Sequence, residues 1–442
     1  MTDTTAATAP EMAPGMTKGA TPPFAEAFRT WARIGLLSFG GPAAQIALMH
    51  RIIVDEKKWL DEPHYLNALS FCMLLPGPEA MQLATYAGWR LHGLAGGLAA
   101  GLLFVLPGAA VVLTLSMIYA SFGNVPWVEA VFYGIKAAVL IIVVEALLRI
   151  SKRALKKPVH WAIAAASFVG IFFLELPFPL IIALAAALGA FLSNEAATST
   201  DAKGMLPGAH GRTFVTIAVW TAIWFVPLLA LAAVLGPKHI LPQIGWFFSK
   251  LALVTFGGAY AVLAYMAQDV VSHHGWLSAG EMMDGLGLAE TTPGPLILVT
   301  EFVAYVAAFK QGGIAAGIAG ACVALWATFV PCFLWIFAGA PYVEWIISKP
   351  RLRGALAAIT AAVVGVILNL TIWFGLHVFF GKVTPHGYGW LKLWVPDVAT
   401  LDWRVVVLAG VSGVLLLQRH WGIAPVLAVV SALGLAFRLG GI

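Results

Sequence analysis

The sequence predicts an all-α polytopic membrane protein built from two homologous, inverted repeats whose helices are broken by glycine and proline. Three observations lead to this fold class. Of the 442 residues, 60% are hydrophobic and only 11% are charged, whereas soluble domains carry roughly 25% charged residues. The apolar residues form long segments without the alternation typical of strands, and a bilayer accepts such segments as helices. Several short motifs also recur in the same order in both halves.

This composition excludes several functional classes. A soluble enzyme, a nucleic-acid-binding domain and a disulfide-stapled secreted protein all require a more polar chain. The net charge of +5 is typical of a membrane protein whose surplus Lys and Arg lie in cytoplasmic loops, so we expect a lipid bilayer and no nucleic acid as partner. The three cysteines lie in apolar segments without a CxxC pair, and we expect neither disulfides nor a metal site.

Thirteen apolar segments follow one another along the chain. The Ala-, Thr- and Pro-rich stretch 1–23 precedes them and is predicted to be a disordered cytoplasmic tail. The polar interruption 194–212 is predicted to be a cytoplasmic linker between an N-terminal repeat, 24–193, and a C-terminal repeat with extra helices, 213–442. The apolar segments are 28–49, 65–89, 93–121, 127–148, 159–175, 177–193, 213–236, 245–268, 281–309, 312–345, 354–380, 403–417 and 421–437.

The internal repeat is defined by matched motifs at a constant spacing. The SFGGP motif at 38–42 and the TFGGA motif at 255–259 are 217 residues apart. The PGP motifs at 76–78 and 293–295 have the same spacing. Several motifs in one register indicate a duplicated membrane protein.

The spacing between matched residues increases in the middle of each half. Gly93 aligns with Gly317, and Pro107 aligns with Pro331, in both cases 224 residues apart. This alignment predicts a seven-residue insertion in the second half. The GxxxG series that begins at Gly93, and the one that begins at Gly313, are predicted to make close helix contacts without a ligand role.

The basic residues indicate that the two repeats are inverted. A basic cluster at 149–157 follows the helix 127–148, whereas the cluster at 349–353 precedes the matching helix 354–380. If both clusters are cytoplasmic, as the positive-inside rule predicts, the two helices run in opposite directions. Secondary transporters are often built from inverted repeats, with the substrate site near the membrane midplane.

The loops between the broken segments raise the question of whether these segments span the membrane. Loop 50–64 carries three Lys and Arg residues, and its counterpart 267–281 carries none. Full spans would violate the charge rule, whereas re-entrant segments that leave on the side they entered would obey it. Because the argument depends on only three charged residues, it does not decide between full spans and re-entrant segments. The segments concerned are 28–49, 65–89, 245–268 and 281–309.

The Gly and Pro breaks are predicted to form the substrate site. Proline lacks an N–H donor and glycine tolerates unusual dihedrals, so each of the four motifs should end one half-helix and begin another. Helix N-termini carry unpaired N–H groups and a positive dipole end, which suit an oxyanion. The alternative interpretation is that the motifs are only kinks or close-packing sites.

Ionisable residues within apolar segments are the remaining site candidates, because each is costly in a membrane. Lys136 is predicted to offset the charge of a bound dianion, the alternative being a structural ion pair with Glu79 or Glu145. Glu79, Glu290 and Glu301 are candidates for proton carriage. The alternatives are helix capping for Glu79 and a hydrogen-bonded structural acid for Glu301.

Catalytic motifs are missing from the sequence. It contains no GxxxxGK[ST], HExxH or GxSxG pattern, and so no Walker A loop, metalloprotease helix or nucleophile elbow. We therefore predict no enzyme activity, no catalytic residues and no cofactor. An intramembrane enzyme is the most remote alternative.

The SFGGP motif at 38, the segment LLPGPEAMQLATY at 74–86 and their counterparts at 255 and 292 resemble the chromate ion transporter (CHR) family, long two-domain type. The resemblance covers residues 25–190 and 245–380. It implies a secondary transporter of the inner membrane that exports chromate, driven by protons or by anion exchange, with sulfate as a competing dianion. The alternatives are a passive oxyanion channel and a sulfate transporter, and a homodimer is left open.

The family motifs carry over onto this sequence residue by residue. Ala259 stands where the first half has Pro42, and Val299 where it has Gln82, so we expect the first half to contribute more to ligand contact. The substrate-binding residues that the resemblance implies are Phe39, Gly40, Gly41, Pro42, Pro76, Gly77, Pro78, Gln82, Phe256, Gly257, Gly258, Pro293, Gly294 and Pro295. Lys136 is added to them because of its charge within an apolar segment.

Overall fold

A computed structural model describes residues 21–123, 125–193, 209–256, 259–389 and 391–439. The predictions for most of the tail 1–23 and the linker 194–212, and for Gly257 and Gly258, lie outside the described residues. The helices are α1 (Phe24–Leu37), α2 (Gly41–His50), α3 (Glu62–Cys72), α4 (Glu79–Phe122), α5 (Pro126–Ala154), α6 (Pro158–Phe172), α7 (Phe178–Leu192), α8 (Ala209–Leu235), α9 (Ile240–Val254), α10 (Ala259–Gln268), α11 (Ala279–Thr291), α12 (Val299–Gly339), α13 (Val343–Ser348), α14 (Pro350–Phe379), α15 (Trp403–Gly413) and α16 (Ile423–Leu439).

The predicted polytopic helical fold is confirmed. By length and composition, five helical stretches in the described part of the chain can cross a membrane. Other apolar segments form shorter helices of 10–17 residues, among them Pro158–Phe172 and Phe178–Leu192. The five stretches are Glu79–Phe122, Pro126–Ala154, Thr213–Leu235, Leu296–Tyr342 and Pro350–Phe379.

The expectation that strands are absent is wrong for one loop. Strands β1 (Val383–Tyr388) and β2 (Leu391–Pro396) form an antiparallel hairpin in which Val383 pairs with Pro396. The hairpin lies between α14 and α15, in a stretch too short and too polar to register as an apolar segment. It is an addition to the helical body.

The element order of the first half recurs in the second. Helices α1 to α5 correspond to α9, α10, α11, α12 and α14, and the pair α6–α7 corresponds to α15–α16. Proline opens both α5, at Pro126, and its counterpart α14, at Pro350, where the missing N–H has no helical partner to lose. Helix α8, helix α13 and the hairpin have no counterpart in the first half.

The alignment of Gly93 with Gly317 is wrong by one helical turn. Helix α4 is interrupted at Gly93, with φ +59°, and α12 is interrupted at Gly313, with φ +68°. These two glycines are therefore equivalent, and the insertion divides into three residues before the kink and four after it. Since both GxxxG series repeat every four residues, an alignment from sequence can slide by one turn.

At each kink the chain folds back, so that α4 and α12 are each helical hairpins. A Cβ at Gly88 would lie 2.3 Å from the Gly96 carbonyl oxygen, and one at Gly101 would lie 2.5 Å from Thr85 Oγ1. In α12, a Cβ at Gly320 would lie 2.7 Å from the Ala304 carbonyl oxygen. Glycine thus permits the close helix contacts that the GxxxG pattern predicts.

The broken segments begin and end at the same end of the helical bundle. Lys57, which follows α2, forms an ion pair of 2.7 Å with Glu26 at the start of α1. His92, at the end of the first limb of α4, contacts the Pro22 carbonyl oxygen at 2.7 Å. In the second half, Lys310 near the kink pairs with Glu281 at the start of α11, also at 2.7 Å. These contacts favour the re-entrant interpretation.

The two repeats pack reciprocally into one body. Helices α6 and α7 pack on α14, and α15 and α16 pack on α5. The contacts are close, since a Cβ at Gly134 of α5 would lie 2.1 Å from the Val430 carbonyl oxygen of α16. A Cβ at Gly365 of α14 would likewise lie 2.1 Å from the Ala164 carbonyl oxygen of α6. Each repeat is therefore completed by helices of the other.

Candidate substrate site at the crossing of the broken helices

The breaks of the two repeats meet through a reciprocal pair of backbone hydrogen bonds. The Gly77 N–H donates to the Thr255 carbonyl at 2.8 Å, and the Gly294 N–H donates to the Ser38 carbonyl at 2.7 Å. Both glycines have positive φ, +122° and +92°, a conformation that side chains disfavour. We call this region, residues 38–42, 76–78, 255–256 and 293–295, the crossing.

Two buried glutamines support the crossing. Gln45 Nε2 donates to the Gly294 carbonyl at 2.6 Å, which links the two repeats. Gln82 Nε2 donates to the Pro76 carbonyl at 2.8 Å within the first PGP loop. Neither Oε1 atom has a hydrogen-bond partner among the described residues. Valine stands at both equivalent positions of the second repeat, Val262 and Val299, so the crossing is more polar on the side of the first repeat.

Each of the helices α4 and α12 has a long limb after its kink, residues 94–122 and 314–339. These long limbs form the walls of the crossing. A Cβ at Gly108 of α4 would lie 2.2 Å from the Pro293 carbonyl oxygen. At the equivalent wall of the other repeat, a Cβ at Gly77 would lie 2.9 Å from the Cys332 Sγ of α12. Both PGP loops are thus held between helices of both repeats.

The predicted free helix N-termini are only partly available. Helix α2 begins at Gly41 with no side-chain cap, with Gly40 in a left-handed conformation of φ +84° before it and Pro42 in its first turn. Its neighbour Phe39 is 50% exposed, so this N-terminus is accessible. The N–H groups of Gly77 and of its counterpart in the second PGP loop are instead hydrogen-bonded.

The remaining motif residues flank these contacts. Pro78 is the N-cap residue of α4 and is buried. Pro293 and Pro295 are also buried, on either side of the hydrogen-bonded glycine. Phe256 is half-buried, and its N–H donates to the Val254 carbonyl at 2.9 Å.

Lys136 lies away from the crossing and is paired with an acid that sequence reasoning missed. Its Nζ is 3.4 Å from Asp284 Oδ2, which also accepts a hydrogen bond of 2.8 Å from the Tyr119 hydroxyl. Neither of the partners considered, Glu79 or Glu145, forms this ion pair. Asp284 lies seven residues before the end of α11, about 10 Å along the helix, so Lys136 is not a direct neighbour of the PGP loop. Asp284 could have been identified from the sequence, because it is an acidic residue inside the apolar segment 281–309.

The three candidate acids occupy different environments. Glu79 is the first residue of α4, directly after the first PGP motif. Glu290 accepts a hydrogen bond of 2.7 Å from the Tyr260 hydroxyl, and Arg149 of α5 lies close enough to act on both electrostatically. Glu301 is 1% exposed, and its Oε2 has no partner among the described residues. Glu290 and Glu79 thus flank the crossing, whereas Glu301 is buried in α12.

The described residues contain no group of His, Cys, Asp and Glu side chains that could hold a metal ion. A cavity of about 430 Å³ lies between α8 and α9, away from the crossing. It is lined mainly by apolar side chains, among them Leu228 and Trp246. The chemistry available at the crossing is therefore that of backbone N–H groups, two amides and the neighbouring acids.

The comparisons with known proteins point to one family. The chromate transporter family model matches residues 25–190 and 242–437. The chromate transport protein of Cupriavidus metallidurans is 31% identical over 77% of this chain and 80% of its own length. That of Pseudomonas aeruginosa is 32% identical over 82% and 84%, and a probable chromate transport protein of Synechococcus elongatus is 30% identical over 78% and 82%. No solved structure matches the chain.

These relatives are transport proteins rather than enzymes, and the matches cover both repeats. The predicted family and the predicted absence of enzyme activity are therefore confirmed. Motifs, fold and relatives agree: the chain is a multi-pass membrane protein that belongs to the chromate transporter family.

Proposed function

We propose that this chain is a secondary active transporter that exports chromate across the inner membrane, coupled to the proton motive force or to anion exchange. The observation that carries the proposal is the crossing, where a glycine N–H group of each repeat donates to a backbone carbonyl of the other repeat. Backbone N–H groups and helix N-termini bind oxyanions without requiring a buried cation. The names of the relatives supply the cargo, chromate.

The reciprocal hydrogen bonds suggest how the site opens. In the present arrangement, the Gly77 and Gly294 N–H groups donate to carbonyls of the opposite repeat. A tetrahedral dianion can replace both carbonyls as acceptor when one repeat moves relative to the other. Because the uncapped N-terminus of α2 lies beside the crossing, it can add further donors. Alternating access then follows from exchange of acceptors at a fixed site.

Contacts between the repeats support their inverted orientation. Tyr119, near the end of α4, contacts Asp284, near the start of α11. A Cβ at Gly339, at the end of α12, would lie 2.7 Å from the ring of Phe71 in α3. Each of these limbs thus ends beside α3 or α11 of the other repeat, which supports opposite directions for α4 and α12. The same contacts are consistent with the proposed division into repeats 24–193 and 213–442.

The roles of the charged residues are part of the proposal. Lys136 is partly exposed and can contribute positive charge along the anion's route, although not at the crossing itself. Glu79 and Glu290 flank the crossing and are the better placed of the three proton candidates. Glu301 is the third, because its buried Oε2 has no hydrogen-bond partner among the described residues.

Transport by purified protein in liposomes tests the proposal. We expect chromate to accumulate when a pH gradient is imposed, or when the liposomes are preloaded with sulfate. Uptake that only follows the anion's own electrochemical gradient would favour the passive channel. Sulfate uptake at a much lower concentration than chromate uptake would favour the sulfate transporter. Absence of transport of either anion would contradict the proposed function.

A further inference from the structure

An ionic cluster around a buried carboxylate joins the three helices α4, α5 and α11. Asp284 of α11 is 4% exposed. Its Oδ2 faces both Lys136 Nζ, at 3.4 Å, and the Tyr119 hydroxyl, at 2.8 Å. Its Oδ1 is buried without a hydrogen-bond partner among the described residues. Only one of the two carboxylate oxygens thus has partners. Because Asp284 is buried, water screens its electrostatic attraction for Lys136 only weakly.

Several other charged groups on α11 and on the helices packed against it are already paired. Glu281, one turn before Asp284 on α11, forms an ion pair of 2.7 Å with Lys310. On the other helices that pack against α11, Arg438 of α16 pairs with Glu129 at 3.1 Å, and the His377 ring of α14 contacts a backbone carbonyl of its own helix. Asp284 is therefore the carboxylate that holds Lys136.

The cluster joins the two repeats and has no symmetry-equivalent copy. Asn67 of the first repeat is equivalent to Asp284, and Thr360 and Val343 of the second repeat are equivalent to Lys136 and Tyr119. The repeat architecture therefore does not require the ion pair. The lysine side chain is also 28% exposed, whereas its partner is buried, so an incoming anion can reach the ammonium group while the carboxylate stays in place.

We propose that Asp284 is a resident counterion that competes with the transported dianion for Lys136. In the empty transporter, the carboxylate neutralises the lysine. An arriving dianion displaces the carboxylate, and the ion pair forms again when the anion leaves, which prevents the lysine from retaining its cargo. Tyr119 positions Asp284 by sharing its Oδ2 with the lysine. The inference rests on the proposed function, since it requires that the chain move an oxyanion.

The competition predicts opposite effects for two neighbouring variants. Asp284→Asn removes the competing charge, so the chromate concentration for half-maximal uptake in liposomes should fall about three- to tenfold, with slower release. Tyr119→Phe leaves the carboxylate with Lys136 as its one partner, so the same concentration should rise about two- to threefold. Lys136→Gln should raise it more, and adding Asp284→Asn to Lys136→Gln should change nothing further.

A control variant on the same helix shows whether the effect is specific to Asp284. Glu281→Gln removes an acid of the same helix but retains the capping box, and it should leave the half-maximal concentration unchanged. If Asp284→Asn and Tyr119→Phe shift it in the same direction, or if Lys136→Gln does not shift it, the inference is wrong although transport stands. If Asp284→Asn does not fold, a Tyr119→Phe variant with an unchanged or lower half-maximal concentration overturns the inference by itself. If wild-type protein transports neither chromate nor sulfate, the proposed function fails instead.

Discussion

Replacing Gly108 by alanine tests whether the crossing has to be as tight as the structure indicates. A Cβ at this position would lie 2.2 Å from the Pro293 carbonyl oxygen and 2.8 Å from Leu298 Cδ1. Because such contacts are normally at least about 3 Å, the PGP loop or α4 has to move by about 1 Å. A displacement of that size would stretch the 2.7 Å hydrogen bond between Gly294 and Ser38 beyond hydrogen-bonding distance.

The expected cost of this variant follows from two effects. Overpacking typically costs about 1–3 kcal/mol, and the loss of a hydrogen bond at a buried site adds about 1 kcal/mol. We therefore expect Gly108→Ala to lower stability by about 2–4 kcal/mol and to reduce chromate transport by at least tenfold. The assays are heat resistance of the purified protein and uptake into liposomes.

A control at an open position separates this effect from a general cost of alanine. A Cβ at Gly410 of α15 meets no atom within 4 Å, so Gly410→Ala should keep wild-type stability and transport. If Gly108→Ala transports as fast as wild type and is equally heat resistant, then the contact between α4 and the second PGP loop is not required, and the reasoning is refuted.

Three further predictions concern the rest of the fold. Gln45→Leu leaves the buried Gly294 carbonyl without its 2.6 Å partner, so heat resistance should fall by the equivalent of about 1–3 kcal/mol; an unchanged melting curve would contradict this role. Asp61 caps α3 through the His64 N–H; partial burial raises its pKa, but the hydrogen bonds from His64 outweigh this and the pKa is lowered from 3.8. Its stabilisation should therefore be present above the unfolded pKa of about 4 and decrease as the pH falls through the lowered pKa of the folded state, so Asp61→Ala should cost about 1 kcal/mol at pH 7 and less at strongly acidic pH. In a cysteine-free background, Lys57→Cys and His273→Cys should react with an impermeant maleimide from opposite faces of the membrane; labelling from one face would contradict inverted repeats.

The sequence predicted the outline of the fold because its signals are local and repeated. Matched Gly and Pro motifs at one spacing revealed the two repeats, and the three Lys and Arg residues of loop 50–64 pointed to re-entrant segments. Gly93 was aligned with the wrong glycine because a GxxxG series looks the same after a shift of four residues. Gly313, rather than Gly317, has the positive φ that turns the chain.

Long-range partners could not be predicted in the same way. Gln45 bonds to a carbonyl 249 residues away, and a single glutamine in an apolar helix carries no local sign of such a partner. The fold also decides which N–H groups of the PGP motifs are free, since Gly77 and Gly294 both find carbonyls in the opposite repeat. Asp284, in contrast, could have been selected from the sequence, because it is an ionisable residue within an apolar segment, as Lys136 is.

The most direct test of the account is chromate uptake into inverted inner-membrane vesicles, with and without a proton gradient, comparing wild type with Gly108→Ala. We expect wild-type vesicles to accumulate chromate above its equilibrium level when the gradient is present or sulfate is available for exchange, and we expect Gly108→Ala vesicles not to do so. Uptake that is the same with and without both driving forces, or that persists unchanged in Gly108→Ala, would contradict coupled transport through the crossing.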